Sequence, residues 1–381
     1  MEATLPHNRR DRMGIPAAGW VVLFVGGCLT LMGLVALSSA GRSFADDPAF
    51  ILKRQTLWVI LGVLVFLVAY RIDLQFVRRC TWPIAGLAAA LLALVLVPSV
   101  GVEVNGARRW LDLGLMRMQP SDFAKPAFVL LLAHYLASNQ RQIRTFGRGF
   151  VLPCALIGVF CGLIILGPDF GTAALFGAIG GCLLFVAGVP FLYFVPTAIA
   201  GLTAFSFLVY HDPVRLERVT AFLDVEANRG DASYQLWQGL LAFGVGGTEG
   251  VGLGNGRQQL SFLPEAHTDF IFPIIGEEMG LLATSGIVIA FGLLFGAAIW
   301  NLRRAPNLFQ FSLVLGCTLF VVLQALINLG VVTGLLPTKG MSLPFISYGG
   351  SNLLVMFGFL GLMLNAFRTW EAPPVRKPLE L

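Results

Sequence analysis

Ten apolar stretches run along the chain with polar segments between them: residues 18–39, 56–71, 81–99, 122–138, 149–167, 170–189, 191–210, 268–300, 308–335 and 345–367. A helix needs about 20 apolar residues to cross the hydrocarbon layer of a bilayer. The pattern therefore predicts an all-α polytopic membrane protein with ten transmembrane helices. The second stretch is short and is expected to extend into its flanks. The eighth and ninth are long and are expected to tilt or to emerge at one end. Pro273, near the start of the eighth, is expected to kink it. The first stretch is too long for a cleavable signal peptide and no clear small-residue cleavage site follows it. No internal repeat divides the chain, so residues 1–381 read as one membrane domain. Residues 1–17 and 368–381 form its tails, and 211–267 is its one long polar segment, between the seventh and eighth helices.

Composition agrees. Of 381 residues, 56% are hydrophobic and 12% charged, against about a quarter charged in a soluble domain. Mean hydropathy is +0.79. These values exclude a soluble enzyme and a disordered chain. A net charge of +5 is too small to mark a polyanion-binding surface, so no nucleic-acid partner is expected. The six cysteines, Cys28, Cys80, Cys154, Cys161, Cys182 and Cys317, fall in or beside apolar runs. They show neither a disulfide framework nor a zinc spacing.

Basic residues orient the chain. Fourteen lie in the two tails and in the connections after the second, fourth and eighth stretches; twelve lie on the other side. Four of those twelve belong to the long segment 211–267, which the positive-inside rule discounts. Both termini are thus expected in the cytoplasm. The chemically loaded segments 100–121, 211–267 and 336–350 then all face outward.

Those segments supply the candidate site. In LPEAHTDF (263–270), Thr268 or Asp269 can cap the eighth helix, or Asp269 can serve as a general base at the membrane surface. Glu265 lies four residues earlier and shares a face with Asp269 if the segment is helical. His267 has no second His or Cys at a metal spacing and reads as structural. Asp122 and Lys125 are three apart and can pair on one helical face. Arg109 and Lys339 are outward cations, and Asp169 opens the sixth span. Glu277 and Glu278 lie inside the eighth, where charge is costly and marks either function or interhelical polar contacts. Neighbours on a helix diverge by about 100°, so the two are not expected to face one cavity. The segment 244–256 has seven glycines and is either a turn-rich loop or a backbone that closes over substrate.

In chain order, NGARRWLDLG (105–114), QPSDFAK (119–125), PDFGTA (168–173), YQLWQGLLAFGVGG (234–247), LGNGRQQLSFLPEAHTDFIFPIIGEEMG (253–280) and LPTKGMSLPFISYGGSNLL (336–354) resemble the motifs of the SEDS family (shape, elongation, division and sporulation). LGNG, IIGEE and LPTKG look more like the division branch, FtsW, than the elongation branch, RodA. Asp122 stands where Glu is usual, PDFGT replaces PDLGT, and Pro273 replaces a common Ala.

The resemblance implies a peptidoglycan glycosyltransferase of the bacterial inner membrane, active on its periplasmic face in septal synthesis. Its substrate would be lipid II, a disaccharide-peptide on undecaprenyl diphosphate, added to a growing glycan strand. Asp269 would be the base. Arg109, Lys125 and Lys339 would bind the diphosphate or organise Asp122, with Glu265 beside them. Asp169, His267, Glu277 and Glu278 would support. No cofactor is required by the sequence; a divalent cation (Mg or Mn) is compatible, with its ligands unknown. The implied partners are a class B penicillin-binding protein and other membrane proteins of the division machinery. The competing readings are a lipid II flippase working through Glu277 or Glu278, an elongation polymerase of the RodA type, and a non-catalytic division scaffold.

Overall fold

The computed structural model describes residues 14–40, 49–104, 107–112, 114, 117–230, 233–258 and 263–370. Thirteen α-helices are found among them: α1 Ala17–Ala40, α2 Phe50–Arg71, α3 Leu74–Arg79, α4 Thr81–Leu94, α5 Pro120–Ser138, α6 Leu152–Leu166, α7 Phe170–Val186, α8 Phe194–Tyr210, α9 Pro213–Leu223, α10 Tyr234–Gly246, α11 Ile271–Leu302, α12 Leu308–Val332 and α13 Gly350–Trp370. Each of the ten apolar stretches holds one helix. Among the described residues six helices are long and apolar enough to cross a membrane, α6 counted with the π-helical turn Phe146–Val151 that leads into it. Most residues of the terminal tails, Arg9, Arg10, Arg12, Arg376 and Lys377 included, lie outside the described residues.

The chain is not all-α. Strands β1 Gly101–Val104, β2 Ala107–Asp112 and β3 Arg117–Met118 form an antiparallel sheet in the order β1-β2-β3. Val104 pairs with Ala107 across a two-residue connection. The sequence there is Asn105-Gly106, the dipeptide most favoured in two-residue hairpin turns. The strands are too short to compete with neighbouring apolar runs as a signal, which is why the hydrophobic pattern passes over them.

Buried side chains form one contiguous core centred on α5, α12 and α13. Phe128, Phe176, Phe320 and Phe359 pack ring against ring within it. Small residues allow close approach where lipid offers no hydrophobic drive between helices: a Cβ at Gly361 of α13 would lie 2.6 Å from the Phe66 carbonyl of α2.

Helix α11 departs from expectation. Pro273 lies in its first turn, where a missing N–H costs nothing, and the break falls instead at Gly280 (φ 70°, ψ −169°). The segment after α10 repairs the interrupted ladder. Val251 and Gly252 N–H donate to the Glu277 and Glu278 carbonyls, and Leu281 N–H donates to the Gly247 carbonyl at 2.9 Å. The eighth apolar stretch is therefore a helix broken at Gly280.

Candidate functional site

The N-termini of α5, α7, α11 and α13 and the C-terminal half of α12 meet at one end of the bundle. There they enclose a cavity of about 730 Å³ lined by Arg109, Asp122, Lys125, Asp169, Glu265, Asp269 and Lys339, among others. Every catalytic and substrate-binding candidate from the sequence reaches this one cavity, as does Asp169. Tyr234 and Gln235 of α10 and Glu217 of α9 also line it.

Asp269 lies in the turn before α11. The N-cap of α11 is Phe270, with no side-chain cap, so neither Thr268 nor Asp269 serves as the cap. Residues 263–270 are a series of turns rather than a helix, and Glu265 has a positive φ of 56°. The shared helical face expected for Glu265 and Asp269 is therefore absent, although both reach the cavity. Glu265 accepts a hydrogen bond from the Thr268 hydroxyl at 2.6 Å. Among the described residues no hydrogen bond reaches the Asp269 carboxylate. Burial pushes its pKa up to about 7; Glu265 and Asp169 push the same way, and Lys339 opposes them. Such a carboxylate is poised to take a proton near neutral pH.

Asp169 is the N-cap of α7 and accepts from the Thr172 N–H. Lys339 Nζ stands 2.6 Å from its Oδ1. Burial opposes its ionisation, but Lys339, Arg109 and the hydrogen bonds hold its carboxyl below the usual range. The Lys339 stem crosses the first turn of α7 at Gly171, where a Cβ would lie 2.4 Å from it. Arg109 donates through Nε to the Gly167 carbonyl at 2.8 Å and through Nη2 to the Pro168 carbonyl. Two cations thus flank the N-terminus of α7, an end that itself favours anions.

Lys125 lines the cavity through a side chain bonded to its neighbours. It is buried, and its ammonium donates to Asp122 Oδ1 (2.8 Å), Gln324 Oε1 (2.9 Å) and Asn352 Oδ1 (3.0 Å). An ammonium has three donors, and all three are committed. Asp122 also accepts from the Ser351 hydroxyl at 2.5 Å. Lys125 thus pairs with Asp122, as the i, i+3 spacing allows. Gln324, Asn328, Ser351 and Asn352 were missed by the sequence reading. Their signal was polarity at i, i+4 and beside α13 inside apolar spans.

Glu277 and Glu278 lie outside the cavity lining. Both are buried and hold the glycine-rich segment. Glu277 accepts from the Arg257 and Gln258 N–H groups, and Glu278 from the Gly254 and Gly256 N–H groups and the Ser39 hydroxyl. Although they diverge on the helix, one segment wraps round both. It is a splint for α11. His267 is half-buried; burial lowers its pKa, with Glu265 pulling the other way. Its carbonyl accepts from the Tyr348 N–H, which ties the Asp269 turn to the start of α13.

Among the described residues no three His, Cys, Asp or Glu side chains stand close enough to hold a metal ion. Asp122 and Asp169 already face ammonium groups. The residues do not fit a resident cation, and no step is assigned to one.

Comparison with known proteins follows the same lines. The FtsW/RodA/SpoVE family, described as "Cell cycle protein", matches residues 19–371. The chain is a member of the SEDS family. It is 42% identical over 357 residues (91% of this chain, 88% of the other) to "Probable peptidoglycan glycosyltransferase FtsW" of Thioalkalivibrio sulfidiphilus. It is 40% identical over 344 residues (88% and 89%) to the protein of that name from Saccharophagus degradans. Among solved structures it resembles a chain described under "Structural coordination of polymerization and crosslinking by a peptidoglycan synthase complex", with TM-score 0.78 and 30% identity over 93% of this chain and 98% of that one. It also resembles the rod shape determining protein RodA of Thermus thermophilus, with TM-score 0.70 and 29% identity over 95% and 99%. This SEDS chain is a multi-pass membrane protein.

Proposed function

We propose that this SEDS protein is a peptidoglycan glycosyltransferase that polymerises lipid II, in the division rather than the elongation branch. The observation that carries the reading is the cavity itself: a carboxylate raised towards neutrality, with no hydrogen bond among the described residues, lines it together with two cations at a helix N-terminus.

The chemistry follows. The acceptor's 4-hydroxyl oxygen attacks the anomeric carbon of the donor. The C1–O bond to the diphosphate breaks, and the hydroxyl proton passes to Asp269. One inversion converts the α-linked donor into a β-1,4 product. Lys339 and Arg109 stabilise the departing diphosphate, which competes with Asp169 for the ammonium. Asp122 and Lys125 brace the cavity wall. If Mg or Mn takes part, it arrives with the diphosphate.

The family, the packing and the charge distribution support ten spans (α1, α2, α4 to α8, α11 to α13) in one domain, with both termini cytoplasmic. Arg71, Arg78, Arg303, Arg304 and Arg368 sit at helix ends opposite to the cavity, as the positive-inside rule asks. The cavity and the 211–267 segment are then periplasmic. No transpeptidase motif of the S-x-x-K type occurs in the chain, so a class B penicillin-binding protein supplies crosslinking, alongside other division membrane proteins.

The test is the full chain in proteoliposomes with its transpeptidase partner, divalent cation and labelled lipid II. Glycan strands are the expected product. Lipid II crossing the bilayer without strands would support transport instead, and neither outcome with all components present would support a scaffold.

A further inference from the structure

One buried amide connects the two halves of this site. Asn328 of α12 is 1% exposed and does not line the cavity. Its Nδ2 donates to the Asp269 carbonyl at 2.8 Å and to the Met341 carbonyl at 2.6 Å. One NH₂ group thus ties the backbone that carries the candidate base to the backbone two residues beyond Lys339. One turn earlier on the same face, Gln324 donates to the next carbonyl, Ser342, at 2.8 Å. Helix α12 is buried along most of its length and makes a rigid platform for both amides.

The far side of Asp269 is equally confined. A Cβ at Gly340 would lie 2.6 Å from Asp269 Oδ2, so the carboxylate packs against bare backbone next to Lys339. Asp269 is therefore set from two directions, by Asn328 at its carbonyl and by Gly340 at its carboxylate. Meanwhile Asn328 Oδ1 is buried without a partner among the described residues. A buried orphan acceptor costs about 1–3 kcal/mol. The donor pair is what the position requires.

We propose that Asn328 is a positioning residue for glycosyl transfer: by joining the Asp269 and Met341 backbones it fixes the reach of the Asp269 carboxylate relative to the Lys339 loop. The proposal rests on Asp269 being the base. It assigns Asn328 no contact with substrate.

The experiment uses the full chain with its transpeptidase partner and lipid II, comparing Asn328→Ala, Asn328→Gln and Asp269→Asn with wild type. A misplacement near 1 Å costs about a hundredfold in rate. Asn328→Ala is expected to lose about ten- to a hundredfold in kcat with KM for lipid II little changed. The acid limb of its kcat–pH profile should move to lower pH, because a carboxylate released from its setting regains water. Asn328→Gln keeps the donors one methylene out of place; it should fall between Ala and wild type, and it serves if the Ala variant does not fold. Wild-type kcat and pH limb in both Asn328 variants, with Asp269→Asn inactive, would overturn the proposal. So would a kcat loss that merely follows a lower melting temperature with the limb unmoved. An active Asp269→Asn would instead overturn the base assignment on which it rests.

Discussion

Asp269 and the Glu277–Glu278 pair lie within ten residues of one another at the head of α11, yet their surroundings have opposite character. The two glutamates are buried and bonded: four backbone N–H groups and the Ser39 hydroxyl converge on them. Asp269 faces the cavity with no hydrogen bond to its carboxylate among the described residues, and its pKa is raised to about 7. A carboxylate that accepts backbone N–H groups is a structural strut. A carboxylate kept short of partners is available for proton transfer. Intramembrane charge alone does not separate the two cases; bonding does.

The most direct way to break the distinction is to remove charge without changing shape at each place. Asp269→Asn is expected to lower kcat by about 10²–10⁴-fold, the usual value of a general base, with lipid II still bound. Glu278→Gln should behave differently. The Ser39, Gly254 and Gly256 hydrogen bonds all fall on its Oε1, and an amide oxygen can accept them. The cost is about 1 kcal/mol of stability or less, the difference between a charged and a neutral acceptor. Turnover measured beside melting in detergent checks both. Equal losses of activity at the two positions would return Glu278 to the transport reading.

Asp122 sharpens the comparison, because it lines the same cavity as Asp269 but is bonded like the glutamates. Lys125→Met should leave its carboxylate with Ser351 as its one side-chain partner among the described residues. Removing one partner of a buried pair costs about 3–5 kcal/mol, read as a lower melting temperature. Adding Asp122→Asn should recover most of the loss. If bonding rather than location decides the role, activity per folded molecule falls far less than in Asp269→Asn.

The splint predicts a smaller effect. At Gly280 a side chain meets both a backbone conformation that is essentially glycine-only and the Thr248 carbonyl, 2.4 Å from the ideal Cβ. Gly280→Ala is expected to cost about 1–3 kcal/mol from the backbone conformation alone. It should loosen the 247–258 segment, seen as faster amide exchange there, while the kcat–pH limb set by Asp269 stays in place.

The sequence exposes some of these features and hides others for identifiable reasons. Apolar runs are legible because lipid demands them, and each holds a helix. The Asp122–Lys125 pair is legible because i, i+3 spacing is local. The other partners of Lys125 are not, since Gln324 and Asn352 lie about 200 positions away in the chain. Glu277 and Glu278 announce a buried charge but not its partners, which are backbone N–H groups of a glycine-rich run. The break at Gly280 is likewise hidden: a lone glycine in an apolar helix becomes a break only because residues 247–252 take over its hydrogen bonds. Pro273 misleads because a first-turn proline and a kinking proline are the same letter.

Glu265 offers the finest probe of what sets Asp269 apart. Burial is the largest cause of its raised pKa, and Glu265 is the next. A general base acts when deprotonated, so kcat should rise with pH through about 7 as Asp269 loses its proton. Glu265→Gln removes a negative neighbour, stabilises the Asp269 anion and moves that limb to lower pH. The variant should therefore outperform wild type on the acid side. Above the limb both enzymes are deprotonated, and the advantage should vanish or reverse, because a carboxylate with a lower pKa is a weaker base. Glu265 is exposed, so added salt should shrink the shift by screening. A limb that stays fixed in Glu265→Gln at low salt would mean that burial alone holds Asp269 near neutrality. The contrast with Glu277 and Glu278 would then rest on hydrogen bonding without any contribution from neighbouring charge.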